Sequence, residues 1–285
     1  MITKKQVNLE IDEMKALKQM SKAYASISAN RMKKIRDKVL GSRLYLDDIN
    51  LIFQEVLKTY AKEVKKSTKS KNKLTFLSHN GRTVHVLLGS EGRLYGKVMQ
   101  DTFNKFFEET ISKDVEITVM GKYALRMIKE SNINKPFTYF DVADSKIEVE
   151  SLTEILKHIV QYEKIRIYYP KFKNVVNQYP DVFDINSVED IKKQKLTPNK
   201  SYLFEPSLTE VLAFFEIQIF DSIFEQTIRE SQLAKFASRL VSMDEAEQRI
   251  SDKLKETLLV KQKIIHATQN KKQQNIIASA MWGRN

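Results

Sequence analysis

The chain contains no cysteine. That removes disulfides, thiolate metal sites and cysteine nucleophiles together, and it fits a reducing compartment. Glycine and proline are scarce, at seven and five, and all except Gly283 lie between Gly41 and Pro206. From Ser207 to Trp282 there is neither. Glycine costs about 1 kcal/mol and proline about 3 kcal/mol in a helix interior, so this stretch predicts one uninterrupted helix. At ~1.5 Å per residue such a helix reaches on the order of 110 Å. It is too long to be buried against a small domain and must run beside another long helix or enter a partner. Met1 to Leu40 is equally free of both residues, as is the stretch from Ser42 to Asn80. No apolar run approaches the ~20 residues of a membrane span. The opening segment MITKKQVNLEIDEMK has no apolar signal core, so a soluble, intracellular protein is expected.

Acidic charge is the minority: 48 basic residues stand against 36 acidic ones, a net charge of +12, which points to an anionic partner. Hydrophobic residues make up 42% of the chain, enough to build a real core. Val7, Ile11, Met14, Leu17, Ser21, Tyr24, Ser28, Ile35 and Val39 recur mostly at three- and four-residue steps. The stripe is narrow and partly small (Ala23, Ser28), as in a coiled-coil seam. Lys15, Lys18, Lys22, Arg31, Lys33, Lys34, Arg36 and Lys38 cover the rest of that helix. A second helical run, with Ile49, Phe53, Val56, Leu57 and Tyr60, follows Gly41 and ends in the polar stretch 65–73.

The period changes in the middle of the chain. Thr83–Leu88, Val115–Val119, Phe137–Val142 and Ile165–Tyr169 read as strands. Helices are expected from Arg93 onward, around Leu125–Ile128 and over Leu152–Tyr162, and Asn174–Asn199 reads as hairpin or loop. This alternation predicts a small α/β domain with a largely parallel sheet. Ser207 with Glu210 forms a capping-box pattern behind Pro206, opening the last helix. Leu208, Val211, Leu212, Phe215, Ile219 and Ile223 give it a strong apolar face. Leu233, Phe236, Leu240, Met243, Ile250, Leu254 and Leu258 continue as a thinner stripe, and no acidic residue follows Glu256.

The expected architecture is α+β: N- and C-terminal helices paired as a long antiparallel coiled coil, with a small Rossmann-like α/β domain inserted between them. The expected divisions are 1–66 (with a possible break near 41), 74–200 and 206–282. A helical bundle is the alternative.

Little of the chain carries chemistry. The stretch Gly89–Val98 has the strand-to-helix context of a phosphate loop. However, Gly92 to Gly96 is one residue short of the Walker spacing, and Val98 stands where a magnesium-binding hydroxyl is needed. The turn is read as structural. His79, His85, His158 and His266 make no metal-ligand spacing; His85 fits a packed strand position and His266 a helix surface. Pairs such as Glu108-Glu109 and Asp47-Asp48 read as solvated helix ends. No nucleophile, base and orienting group occur together, so the chain is expected to be non-catalytic and to bind no cofactor or metal. The basic N-terminal helix leaves a nucleic-acid-binding or scaffold reading as an alternative.

Three segments together resemble the gamma subunit of F-type ATP synthases. Gln19–Tyr24 and Ala29–Lys33 are similar to that family's N-terminal K-I-T-K-A-M and A-S-K-M-R, and Ser90–Gly96 to its S-D-x-G-L-C-G turn. Glu205–Leu208 matches its E-P-S motif, and Ser238–Ala246 resembles A-R-M-x-A-M-D-x-A. Arg93 and Tyr95 replace the usual Gly and Cys of the turn, and Met281–Asn285 replaces a Gly-Gly-Ala tail.

The resemblance implies a rotary shaft set inside a hexamer of alpha and beta subunits, with ATP chemistry on the beta subunits and none on this chain. It also implies an epsilon-like subunit and a membrane ring as neighbours, no nucleic acid, and a peripheral place on the cytoplasmic side of the membrane. Among residues matching the family's motifs, Lys22, Arg31 and Arg239 are the expected head contacts, with Met281 and Trp282 at the tip. A gamma-like shaft in a specialised F-type-like ATPase of mollicutes, driving something other than a proton channel, is the variant reading.

Overall fold

In a computed structural model of the chain, the described residues are 3–66, 80–131, 133–143, 149–186, 205 and 208–282. Among the described residues ten elements follow one another. They are α1 (Lys4–Lys66), β1 (Thr83–Leu88), α2 (Val98–Thr110), β2 (Glu116–Met120), α3 (Lys122–Glu130), β3 (Phe137–Phe140), α4 (Val149–Ile159), β4 (Lys164–Phe172), β5 (Gln178–Asn186) and α5 (Leu208–Trp282). They divide into two compact units, the described residues of 1–29 with 239–285, and those of 30–238.

In the first unit α1 and α5 run antiparallel: Thr257 Oγ1 lies 4.0 Å from Met14 Sδ, and Lys22 Nζ is 3.3 Å from a Glu247 carboxylate oxygen. Besides the half-buried Asn8 and Ala29, the buried and half-buried positions of α1 within this unit are Val7, Ile11, Met14, Lys18, Ser21, Ala25 and Ser28. Their strict alternation of four- and three-residue steps is the 3.5-residue period of a left-handed supercoil. Leu17 and Tyr24, expected in this seam, are 52% and 37% exposed instead. Apolarity alone points to them, but the period selects Lys18, whose methylene stem can line a seam, and Ala25. On α5 the same holds for Leu258, which is 41% exposed while Thr257 is buried.

The second unit holds a five-stranded sheet in the order β3-β2-β1-β4-β5. β1 pairs in parallel with β2 and β4, β2 in parallel with β3, and β4 antiparallel with β5. Both faces are covered, which explains why β1 and β2 read as nearly continuous apolar runs. On one face Val84, Val86, Leu88, Ile165, Ile167 and Tyr169 pack with α4 and with Phe220, Phe224 and Ile228 of α5. On the other, Leu87, Ile117, Val119 and Tyr168 pack with α2 and α3.

Two expectations are corrected here, and the hairpin-or-loop expectation for Asn174–Asn199 is resolved into a hairpin of β4 and β5 over its described part. α1 passes through Gly41 without a break. One exposed glycine costs only about 1 kcal/mol, which a long helix absorbs. The second helix starts at Val98, not Arg93, because the preceding residues form a turn with Leu94 at φ 74° and Gly96 at φ 61°. Gln178–Asn186 is a strand, registered on β4 from Phe172↔Gln178 to Lys164↔Asn186. Pro180 and its polar residues hid it, yet an edge position tolerates a proline with no donor to contribute. The proposed Ser207 cap, His79 and residues 187–199 lie outside the described residues.

A polar cluster that runs from exposed Asp184 to buried His85 ties β4 to the end of α2. Arg166 makes a bidentate pair with Asp184, at 2.6 and 3.0 Å, and donates to Glu109 Oε2 at 2.8 Å. Tyr168 Oη donates to the same Glu109 oxygen at 3.0 Å. His85 Nδ1 lies 2.8 Å from Thr110 Oγ1 and 3.3 Å from Tyr168 Oη. Burial, aided by the positive charges of Arg166 and Lys113, pushes His85 from its ordinary 6.5 down to about 4. Burial also lowers His158.

A histidine that stays neutral when folded and takes a proton when unfolded stabilises the fold fully above pH 6.5 and loses that contribution as pH falls toward 4. The unfolding free energy measured by urea titration is therefore expected to decline across this window, by up to about 1.4 kcal/mol per pH unit for this one group. His85→Gln lowers stability at neutral pH but flattens most of that decline.

Candidate functional joint between helix and sheet

The expected phosphate-loop look-alike is where the last helix is fastened to the sheet. β1 ends at Leu88, and the N–H of the next residue, Gly89, donates to the Met120 carbonyl at 2.9 Å. Ser90 Oγ closes the turn on the Gly92 carbonyl at 2.9 Å, and the Ser90 carbonyl accepts from the Tyr123 N–H at 2.8 Å. The turn's carbonyls meet donors from α5: Lys235 Nζ reaches the Gly89 oxygen at 2.9 Å, and Ser238 Oγ the Tyr95 oxygen at 2.8 Å. A phosphate loop needs converging N–H groups. Here the Gly89 N–H is committed to β2, and the turn offers acceptors to a helix.

Apolar and aromatic packing surrounds these bonds. Phe236 of α5 sets its ring edge-on to Tyr95, with centroids 6.1 Å apart, and the Arg31 guanidinium of α1 lies 5.6 Å over the same ring. Val98 and Met99 of α2 complete the cluster, with Met32 and Ile35 of α1 against it. α1, α2, α5 and the turn thus meet at Phe236. Every residue from Ser231 to Ser238 is buried. Sequence reading placed Phe236 in the stripe but missed Lys235, Ser238 and Tyr95. The signal available was a lysine inside the otherwise uncharged run 231–238.

The expected head contacts divide between the two units. Arg31 takes part in the joint just described. In the coiled unit the Arg239 guanidinium lies 5.9 Å over the Tyr24 ring. Glu247 accepts Lys22 at 3.3 Å and Lys18 at 4.0 Å, while the Lys22 side chain stays 59% exposed. All three expected basic residues therefore touch another part of this same chain. α5 continues beyond the seam, exposed from His266 to Ser279, and Met281 and Trp282 are its last two residues. Among the described residues no His, Asp and Glu side chains group as a metal site, and no helix is long and apolar enough to cross a membrane.

The profile of the protein family described as ATP synthase matches residues 3–277. Among curated proteins, the chain is 21% identical over 287 residues to the ATP synthase gamma chain of Ruthia magnifica subsp. Calyptogena magnifica, covering 97% of this chain and 98% of that one. It is 24% identical over 244 residues to the ATP synthase gamma chain of Mycoplasma capricolum subsp. capricolum, covering 83% of each. Its fold is similar to a chain of the Tetrahymena thermophila mitochondrial ATP synthase central stalk and c-ring, with a TM-score of 0.58 at 14% identity over 80% of this chain and 99% of that one. It is also similar to a chain of the Euglena gracilis mitochondrial ATP synthase OSCP/F1/c-ring assembly, with a TM-score of 0.53 at 14% identity over 89% and 94%.

Proposed function

We propose the following role for this chain, which belongs to the ATP synthase gamma-chain family: it carries no ATP chemistry and acts only by transmitting rotation. It is the central-stalk rotor subunit of an F-type complex and works with an alpha/beta head. The single observation that carries the mechanism is the union of two features in one chain. A two-helix seam of strict 3.5-residue period supplies a stiff shaft, and a polar, aromatic joint fastens its last helix to a rigid sheet.

In the proposed cycle the coiled unit turns inside the head and an asymmetric surface presents itself to each nucleotide site in succession. Lys22, Arg31 and Arg239, with Met281 and Trp282 at the tip, are the proposed head contacts. Exposed lysines on α1 would meet acidic loops of the head, with charge setting register and encounter more than affinity. An epsilon-like subunit and a membrane ring are proposed as neighbours of the sheet unit, and the cytoplasmic face of the membrane as its place.

Affinity purification of the tagged chain from its native cells is expected to recover alpha- and beta-type nucleotide-binding subunits in molar excess over it, with ATPase activity in the complex and none in the chain alone. Recovery of a stable monomer without such subunits contradicts the rotor role. Salt-sensitive binding of the chain to DNA or RNA would instead support the nucleic-acid reading.

A further inference from the structure

Lys235 is 5% exposed, inside the nine-residue buried stretch Glu230–Ser238 of α5. Burying an ammonium group is costly unless its donors are matched, and leucine or methionine would fill the same space without that cost. Packing alone therefore does not explain a lysine here. One of its acceptors, the Gly89 carbonyl, is held in place by its neighbours. Gly89 directly follows β1, the strand laddered to β2 on one side and β4 on the other. The Gly89 N–H is held by β2, and the place of its absent Cβ is filled by Ala124.

Three residues further along α5, on the same helix face, Ser238 holds the Tyr95 carbonyl. The apolar face formed by Phe220, Phe224 and Ile228 binds α5 to the sheet, but apolar burial is non-directional. It resists separation far better than it resists twist about the helix axis. Two directional bonds on one face, anchored on main-chain atoms, resist twist.

We infer that Lys235 is a positioning residue for rotary coupling: with Ser238 it fixes the angle of α5 about its own axis against the central strand of the sheet. The inference rests on the rotor role and names the place where torque enters or leaves the sheet unit. Lys235 touches no nucleotide and acts through Gly89.

The test uses the whole complex, immobilised by its head, with a bead on an exposed residue of the sheet unit and ATP driving rotation. The angular spread of the bead is read in each dwell. A charge-assisted bond is roughly twice as strong as a neutral one. Lys235→Met is therefore expected to raise the angular variance about twofold or more, and Ser238→Ala to raise it less, while unloaded ATP turnover stays at the wild-type rate. Lys235→Arg, which restores a charged donor, is expected to bring the variance back toward wild type.

A merely structural lysine predicts a lower melting temperature in Lys235→Met with unchanged variance in those complexes that rotate, and that result overturns the inference. If Lys235→Met does not assemble, Ser238→Ala decides: a variance equal to wild type overturns it, an increase supports it. A wild-type complex that hydrolyses ATP without turning the bead overturns the rotor role itself, a failure distinct from the variant comparison.

Discussion

Replacing Gly89 by alanine is expected to cost the sheet unit about 3 kcal/mol, at the upper end of overpacking effects. A Cβ built at Gly89 falls under 3.0 Å from both the Ala124 Cβ and the Met120 carbonyl oxygen. Neither is the mobile end of a long side chain. One opens α3 and the other is the ladder acceptor of Gly89 itself. Relief requires moving α3 away from the sheet or breaking the Gly89 bond to β2, and either shift disturbs the carbonyl that holds Lys235. A loss of that size corresponds to a fall of roughly 6–10 °C in melting temperature for a chain of this length.

Gly41→Ala is the opposing control. Gly41 lies in α1, exposed, with nothing within 4 Å of a built Cβ, so this change is expected to stabilise by about 0.5–1 kcal/mol. Melts of both variants followed by circular dichroism check the pair. A Gly89→Ala protein that melts at the wild-type temperature would show that the contact between the turn and α3 is loose.

Phe236→Ala is expected to cost about 3–5 kcal/mol, the range for truncating a buried phenylalanine. Phe236 is 1% exposed and shares one apolar cluster with Tyr95, Val98 and Met99, against which Met32 and Ile35 pack. Its loss leaves a cavity where four segments converge, and segments from distant parts of the sequence close such a cavity poorly. It also removes the ring beneath Arg31, a contact worth about 0.5–1 kcal/mol at a partly exposed site. Phe236→Leu, which keeps most of the volume, is expected to recover more than half of the loss.

A double-mutant cycle with Arg31→Gln isolates the cation–ring contribution: the two changes are expected to be non-additive, because Arg31 has no ring to cover once Phe236 is gone. Denaturant titration measures all four proteins. Strict additivity would mean that Arg31 contributes nothing through that ring and would strengthen its assignment as a head contact.

Much of this fold is legible because its elements are long and their periods differ. The absence of glycine and proline around α5, and the three- and four-residue steps of α1, reflect backbone costs that act locally and leave their mark in any window of the chain. The strands β1 and β2 are legible for a different reason: covered on both faces, they must be apolar throughout. β5 was harder, because an edge strand needs neither alternation nor a full set of donors, and Pro180, Asp181 and Asp184 disguised it. The seam shows the limit of reading by residue type. Leu17 and Tyr24 are apolar and adjacent to the correct positions, but the supercoil's period is set by two helices together and places Lys18 and Ala25 on the line.

The sequence by itself determined that two long helices bracket an α/β domain, that no cysteine chemistry is available and that the near-Walker turn lacks its hydroxyl. These follow from composition and from spacing along the chain. Which side chains fasten the last helix to the sheet was decided only by the tertiary structure. Lys235 and Gly89 are 146 positions apart, and no local preference of either residue encodes their meeting. Their contact exists because the ladders on both sides of β1 hold Gly89 still while an apolar face of α5 brings the lysine to it.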